Sequence, residues 1–265
     1  MTSFKQKIKE ETSVVLGNTT SRKSEILTEK EILHLPAPVQ KWLKVSGAIG
    51  KEKIRTVALK QSFQMKLKPE QKNWKQAITQ QFFNAENPAF IWTVRMKMAP
   101  FVSVLGRDKF IDGKGEMQMT LNGILNLGKE TGEKMDEGTL QRYLGETVWF
   151  PSGMVSPHIS WQELDPHSAK ATMNFKETSG SGNFYFNSEG IFEKFVAMRY
   201  YGNAKDAKRY EWIITAQEHA EFNGIKIPSK LEATWMLDSG PWTWLKLEIA
   251  EVDYNPDPKN LNQLI

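Results

Sequence analysis

Glu146 stands in the run RYLGETVWFP, residues 142–151, where Tyr143, Leu144, Val148, Trp149 and Phe150 supply apolar bulk around a single carboxylate. A carboxyl group covered in this way has its neutral form favoured and can serve as a general acid or base. On a helix, Arg142 lies one turn before Glu146. The residues Leu140, Tyr143, Leu144, Thr147 and Val148 share one face, and Glu146 falls away from it. On a wet surface the Arg142–Glu146 pair contributes only a few tenths of a kcal/mol. Trp149 and Phe150 flank the carboxylate, however, so the helix is expected to be covered on more than one side. A covered Glu146 needs Arg142, Arg199 or a backbone amide to offset its desolvation.

Other chemistry has weaker support. The four histidines, at 34, 158, 167 and 219, are scattered, and Glu31–His34 has the spacing of a di-iron helix only once, where such sites use two copies. No metal site is expected. The stretch DGKGEMQ places Asp112 and Glu116 among glycines, with Asp108 just before it. It lacks the alternating ligands of a calcium loop and reads as a hairpin turn. Phosphate-binding glycine loops and a nucleophile-elbow serine are missing, so no cofactor is expected. The absence of cysteine excludes disulfides, thiolate zinc sites and a cysteine nucleophile.

The elements that would position Glu146 follow from periodicity. Thr28 and Glu31 form a capping box for a first short helix. Pro36 and Pro38 interrupt it, and a second helix carries Val39, Trp42 and Leu43 before Gly47 ends it. From about Ile54 the period changes to two. Phe90, Trp92, Val94, Met96 and Met98 share one parity, and similar alternation recurs at Met117–Leu121, Ala171–Phe175 and Leu245–Ile249. Asp112-Gly113 and Asn223-Gly224 are two-residue hairpin signals, and TSGSGN and NSEG read as looser glycine turns. Residues 128–138 read as a polar loop, followed by a helix over 138–150 that Pro151 stops. The sum is a mainly β (α+β) chain: a large curved antiparallel sheet or half-barrel of about ten strands with a few short helices.

Composition narrows the setting. The 265 residues include nine Trp, and 40% are hydrophobic, enough for a sizeable core. The net charge of +4 is spread among 35 basic and 31 acidic residues, which gives no nucleic-acid footprint. No run approaches the roughly 20 apolar residues of a membrane helix, so the chain is soluble as given. Residues 1–27 read as a polar, loosely docked lead-in, 28–257 as a single β-rich domain and 258–265 as a tail.

Several segments, in order, resemble a bacterial family of unknown function: LPAPVQKWLKVSG, FIWTVRMKM, GTLQRYLGETVWFPSG, ISWQELD, SGNFYFNSEG and FNGIKIPSKLEATWMLDSG among them. The likeness spans about residues 29–255. It implies a glutamate at the position of Glu146, with Arg142, Trp149 and Pro151 as its motif neighbours. Thr147 and the PSGM stretch depart from the family pattern. Members of this kind often carry a membrane segment ahead of the first helices, missing from this chain, so the resemblance implies either the extracytoplasmic portion of an anchored protein or a naturally anchor-free member.

Strand stripes rich in Trp, Phe and Met usually fill a core. A strongly curved sheet with few helices to cover it can instead keep a cavity, and Met with aromatics makes an adaptable lining. The expectation is a fold similar to the half-barrels of lipid and lipoprotein carriers, binding a lipid-like apolar molecule on its concave face rather than catalysing a reaction. Arg142, Glu146, Trp149, Arg199, Trp92 and Met96 would line that site. The rivals are a hydrolase or isomerase using Glu146 as general acid or base with an Arg partner, and an interaction module whose Trp42, Trp74, Trp242 and Trp244 form an exposed patch.

Overall fold

The structure is a computed structural model and describes residues 3–17 and 24–257; the expected tail at 258–265 lies outside them. Among the described residues four α-helices precede or interrupt the strands: α1 (Phe4–Gly17), α2 (Glu29–Ile32), α3 (Ala37–Val45) and α4 (Glu133–Glu146). Among the described residues thirteen strands form one sheet, antiparallel throughout. The first half comprises β1 (Thr56–Met65), β2 (Lys75–Asn84), β3 (Ala89–Ala99), β4 (Val102–Ile111), β5 (Lys114–Leu121) and β6 (Leu125–Glu130). The second comprises β7 (Ile159–Asp165), β8 (Ser168–Phe175), β9 (Thr178–Phe186), β10 (Phe192–Tyr200), β11 (Arg209–Phe222), β12 (Ile225–Leu237) and β13 (Gly240–Tyr254).

The strand order is β6-β5-β4-β3-β2-β1-β13-β12-β11-β10-β9-β8-β7. The chain therefore starts at the centre of the sheet and meanders to one edge. It crosses to the other edge through α4 and meanders back until β13 closes on β1, with Val57 opposite Tyr254. Strand alternation then decides the layers. Val57, Leu59, Phe83, Phe90 and Phe110 face the concave side and join the main core with α3 and α4. Ala58, Phe82 and Ile91, one residue out of step, face the convex side and pack on α1.

The hairpin signals act as local chemistry requires. Asp112-Gly113 (φ 52° and 78°) joins β4 to β5, and Asn223-Gly224 (φ 53° and 73°) joins β11 to β12, both central residues left-handed as a twisted two-residue turn demands. The Glu31 carboxylate accepts from the Thr28 backbone N–H at 2.9 Å and from its hydroxyl at 2.8 Å, which starts α2. Gly47 (φ 75°) lies just past α3.

Four expectations are corrected. The strands number thirteen rather than about ten. TSGSGN is part of β9 rather than a turn; a Cβ at Gly180 would lie 2.8 Å from the Gln141 side chain of α4, so glycine marks close helix–strand approach. Residues 128–138 are not a loop: β6 runs to Glu130 and α4 begins at Glu133. Residues 4–17 are not a loosely docked lead-in but a helix with Phe4, Ile8, Val15 and Leu16 buried.

Helix α1 is locked by charge as well as by apolar packing. Arg107 is the convex-face neighbour of Asp108 on β4 and is fully buried. Its Nη1 donates to both Glu11 oxygens at 2.8 and 2.9 Å, and its Nη2 donates to Glu116 on β5. Lys109 Nζ reaches the same Glu11 at 2.8 Å. No helix among the described residues is long and apolar enough to cross a membrane.

Candidate functional site

Helix α4 is the element that makes the site, because it is held by both halves of the sheet at once. Toward the first half, Asp136 accepts from the Gly115 backbone N–H at 2.7 Å and Tyr143 donates to the Asn84 carbonyl at 2.9 Å. Toward the second, Gln141 donates to the Ser181 and Met198 carbonyls at 3.2 and 3.1 Å. A Cβ on Gly115 would come within 2.6 Å of the Met135 carbonyl, so only glycine allows this contact. Past Glu146 the chain tightens into a 3-10 turn, Thr147–Trp149, and a second, Pro151–Val155. The expected stop at Pro151 is thus corrected: the α-helix ends at Glu146, Pro151 opens the second 3-10 turn, and the helix starts five residues earlier than the sequence indicates.

Between α4 and the concave face lies a cavity of about 410 Å³. All six residues named from the sequence, Trp92, Met96, Arg142, Glu146, Trp149 and Arg199, line it. So do Trp212, Trp235, Trp242 and Trp244, which puts six of the nine tryptophans on one cavity wall, with Met65, Met117, Met119 and Met135 beside them. The exposed tryptophan patch of the interaction-module reading does not form. Trp42 is wholly buried, Trp242 and Trp244 face the cavity, and Trp74 lies under Lys66 and Lys246.

The polar end of the cavity is a connected hydrogen-bond chain. Thr79 donates to Gln61 at 3.0 Å, Gln61 to Gln81 at 3.2 Å, and Gln81 to Glu146 Oε2 at 2.7 Å. Arg142 Nε donates to Glu146 Oε1 at 2.9 Å, and Arg142 Nη1 to Asp108 Oδ2 at 2.9 Å. The Arg142 guanidinium also sits over the rings of Phe90 and Trp92, at 5.0 and 5.1 Å. Its side chain is 17% exposed and that of Asp108 22%. Both line the cavity.

Burial dominates the electrostatics. It pushes the Glu146 and Asp108 carboxyls above their usual range, against the pull of Arg142 on each. For Arg142 burial works in the opposite sense, but Glu146 and Asp108 overcome it and hold the guanidinium charged. Arg199 differs. Burial, then repulsion from Arg142, brings it down to about 9, which still leaves it protonated at neutral pH. Its guanidinium stacks on Trp212 at 4.1 Å and approaches Trp235 at 5.8 Å, and its buried Nε has no partner.

Of the two pairings left open by the sequence, Arg142–Glu146 forms and Arg199–Glu146 does not. Sequence reading missed Gln61, Gln81 and the partnership of Asp108 with Arg142. Asp108 shares the inward parity of Phe110 on β4, a signal that was available. The glutamines carried none, since inward-facing Gln becomes meaningful only once Glu146 is placed opposite. His158 packs edge-on against Phe175 and His219 edge-on against Trp42. Among the described residues no group of three or more His, Asp or Glu is arranged to hold a metal.

Residues 25–247 match a family of unknown function, DUF6544, and the chain belongs to that family. No curated protein matches it. Among solved structures, the chain is similar to a LolA superfamily protein from Nitrosomonas europaea, with 10% identity and a TM-score of 0.45 over 84% of this chain and 96% of that one. It is also similar to a DUF1329 family protein from Desulfovibrio piger, with 7% identity and a TM-score of 0.44 over 80% of this chain and 92% of that one.

Proposed function

We propose that this member of a family of unknown function binds an elongated, lipid-like apolar molecule between the concave sheet and α4. The observation that carries the reading is the cavity itself, about 410 Å³ and walled mainly by Trp, Met and aliphatic side chains. Interiors normally close-pack, whereas ligand pockets occupy about 300–1,000 Å³ and combine an apolar lining with a few placed polar groups. Methionines add a surface that adapts to the shape of a flexible chain. The envelope-associated setting implied by the sequence resemblance belongs to the same proposal, since a lipid-like ligand is met at a membrane.

Catalysis by Glu146 is the weaker reading. Its raised pKa is what a general acid would show. Both carboxylate oxygens are nonetheless occupied, by Arg142 and Gln81, and a proton-transfer group must be free to reach substrate. We assign Glu146 to holding Arg142 at the cavity wall.

Titration of the delipidated chain with the fluorescent probe N-phenylnaphthylamine tests the proposal. Saturable enhancement is expected. Ala233 lies on the cavity wall and is buried, and Ala233→Phe should weaken probe binding by about tenfold or more through steric filling while circular dichroism shows the fold retained. Non-saturable uptake, or equal binding by the filled variant, would count against the cavity as the site.

A further inference from the structure

We infer that the molecule held in this cavity is a long-chain carboxylate whose head is received by Arg199. The inference rests on the binding role proposed above and names the class of ligand. Every other polar side chain in the hydrogen-bond chain at this end already has its partners: Arg142 has Glu146 and Asp108, and Gln61 and Gln81 serve one another and Glu146. Arg199 has no hydrogen bond or ion pair among the described residues, and its Nε is buried without a partner. A guanidinium carries five N–H donors and no acceptor, so what it lacks is an acceptor.

Geometry selects the kind of acceptor. The Arg199 Cζ lies over the Trp212 ring, 4.1 Å from its centre. Stacking offsets charge but leaves the donors, which lie in the guanidinium plane, unused. A planar carboxylate meets such a fork edge-on with two parallel hydrogen bonds. Helix α4 makes room for the arrangement at Gly138, where a Cβ would lie 3.2 Å from Arg199 Nη2. Beyond Arg199 the wall turns apolar through Ile214, Ala233 and Leu231, which suits an alkyl chain. The polar end already holds two carboxylates, Asp108 and Glu146, facing two guanidiniums, Arg142 and Arg199, so a singly charged head meets less repulsion there than a dianionic phosphate.

Competition against the bound naphthylamine probe separates the possibilities, using hexadecanoate, hexadecan-1-ol and hexadecyl phosphate on the delipidated chain. Hexadecanoate should bind about ten- to a hundredfold more tightly than the alcohol, the margin of a charge-assisted hydrogen-bond pair. Arg199→Met should bring the acid down to the affinity of the alcohol while leaving the alcohol's own affinity unchanged, which shows that the fold is retained, and Arg199→Lys should restore part of the margin. Equal affinity of acid and alcohol for the native chain, a preference that survives Arg199→Met, or tighter binding of the phosphate would each overturn the inference while leaving an apolar-ligand site intact. Displacement of the probe by none of the three would overturn the binding role and the inference together.

Discussion

Arg142 is where the energetics of the site concentrate. It is the shared donor for two carboxylates that burial has already pushed toward their neutral forms. Removing one partner of a buried pair leaves the other side desolvated and unpaired, which costs more than the pair itself contributes. Arg142→Met should therefore lower the unfolding free energy by about 3–5 kcal/mol, read by urea denaturation at neutral pH. The loss should shrink when the same variant also carries Asp108→Asn and Glu146→Gln. Part of this site was legible at the residue scale. The four-residue spacing of Arg142 and Glu146 and the flanking Trp149 were enough to argue a covered pair. Asp108 and Gln81 were not, because they lie 34 and 65 residues away along the chain and become neighbours only when the strands are registered.

At the scale of elements, two helices bind the same strands from opposite sides by different means. On the concave side α4 relies on close approach to Gly115 and Gly180. On the convex side α1 relies on Glu11 and Glu116 gripping Arg107. Burial alone would raise the Glu116 carboxyl, but hydrogen bonds from Arg107 and Lys129 outweigh it and hold the group down to about 2. A carboxyl whose folded pKa lies below its unfolded value of 4.5 contributes stability that is fully present above the unfolded pKa and is lost as pH falls toward the folded one. Glu116→Gln should therefore be less stable than the native chain at about pH 6, and the gap should narrow steadily between about pH 4.5 and 2; urea midpoints at each pH read it directly. Local turn chemistry made the hairpins at 112–113 and 223–224 legible. The strand at TSGSGN was not, because Gly180 there serves contact with α4, a role that composition alone cannot distinguish from a turn; nor was the start of α4 at Glu133, because Gly138, which reads as a boundary, lies inside the helix against Arg199.

At the scale of the whole molecule, the consequence of the centre-out meander is that α4 connects the two edge strands and packs across β4 and β5 of one half and β8, β9 and β10 of the other, covering the cavity instead of filling it. Alternation in the sequence identified a curved, mainly β sheet and the stripes that face inward. Whether facing stripes meet or stand apart depends on sheet curvature and on the pairing of β1 with β13, which joins residues near opposite ends of the domain. The cavity is thus a property of closure rather than of any segment. Its wall carries six of the nine tryptophans, which provides a direct readout of occupancy. The delipidated chain should be titrated with a chain-brominated octadecanoate, whose bromine quenches indoles that it touches. Saturable quenching, near one ligand per chain, of more than half the tryptophan emission is expected if the ligand fills the cavity, with its loss in Ala233→Phe. Quenching that rises without saturation, or that is the same in the filled variant, would contradict binding there.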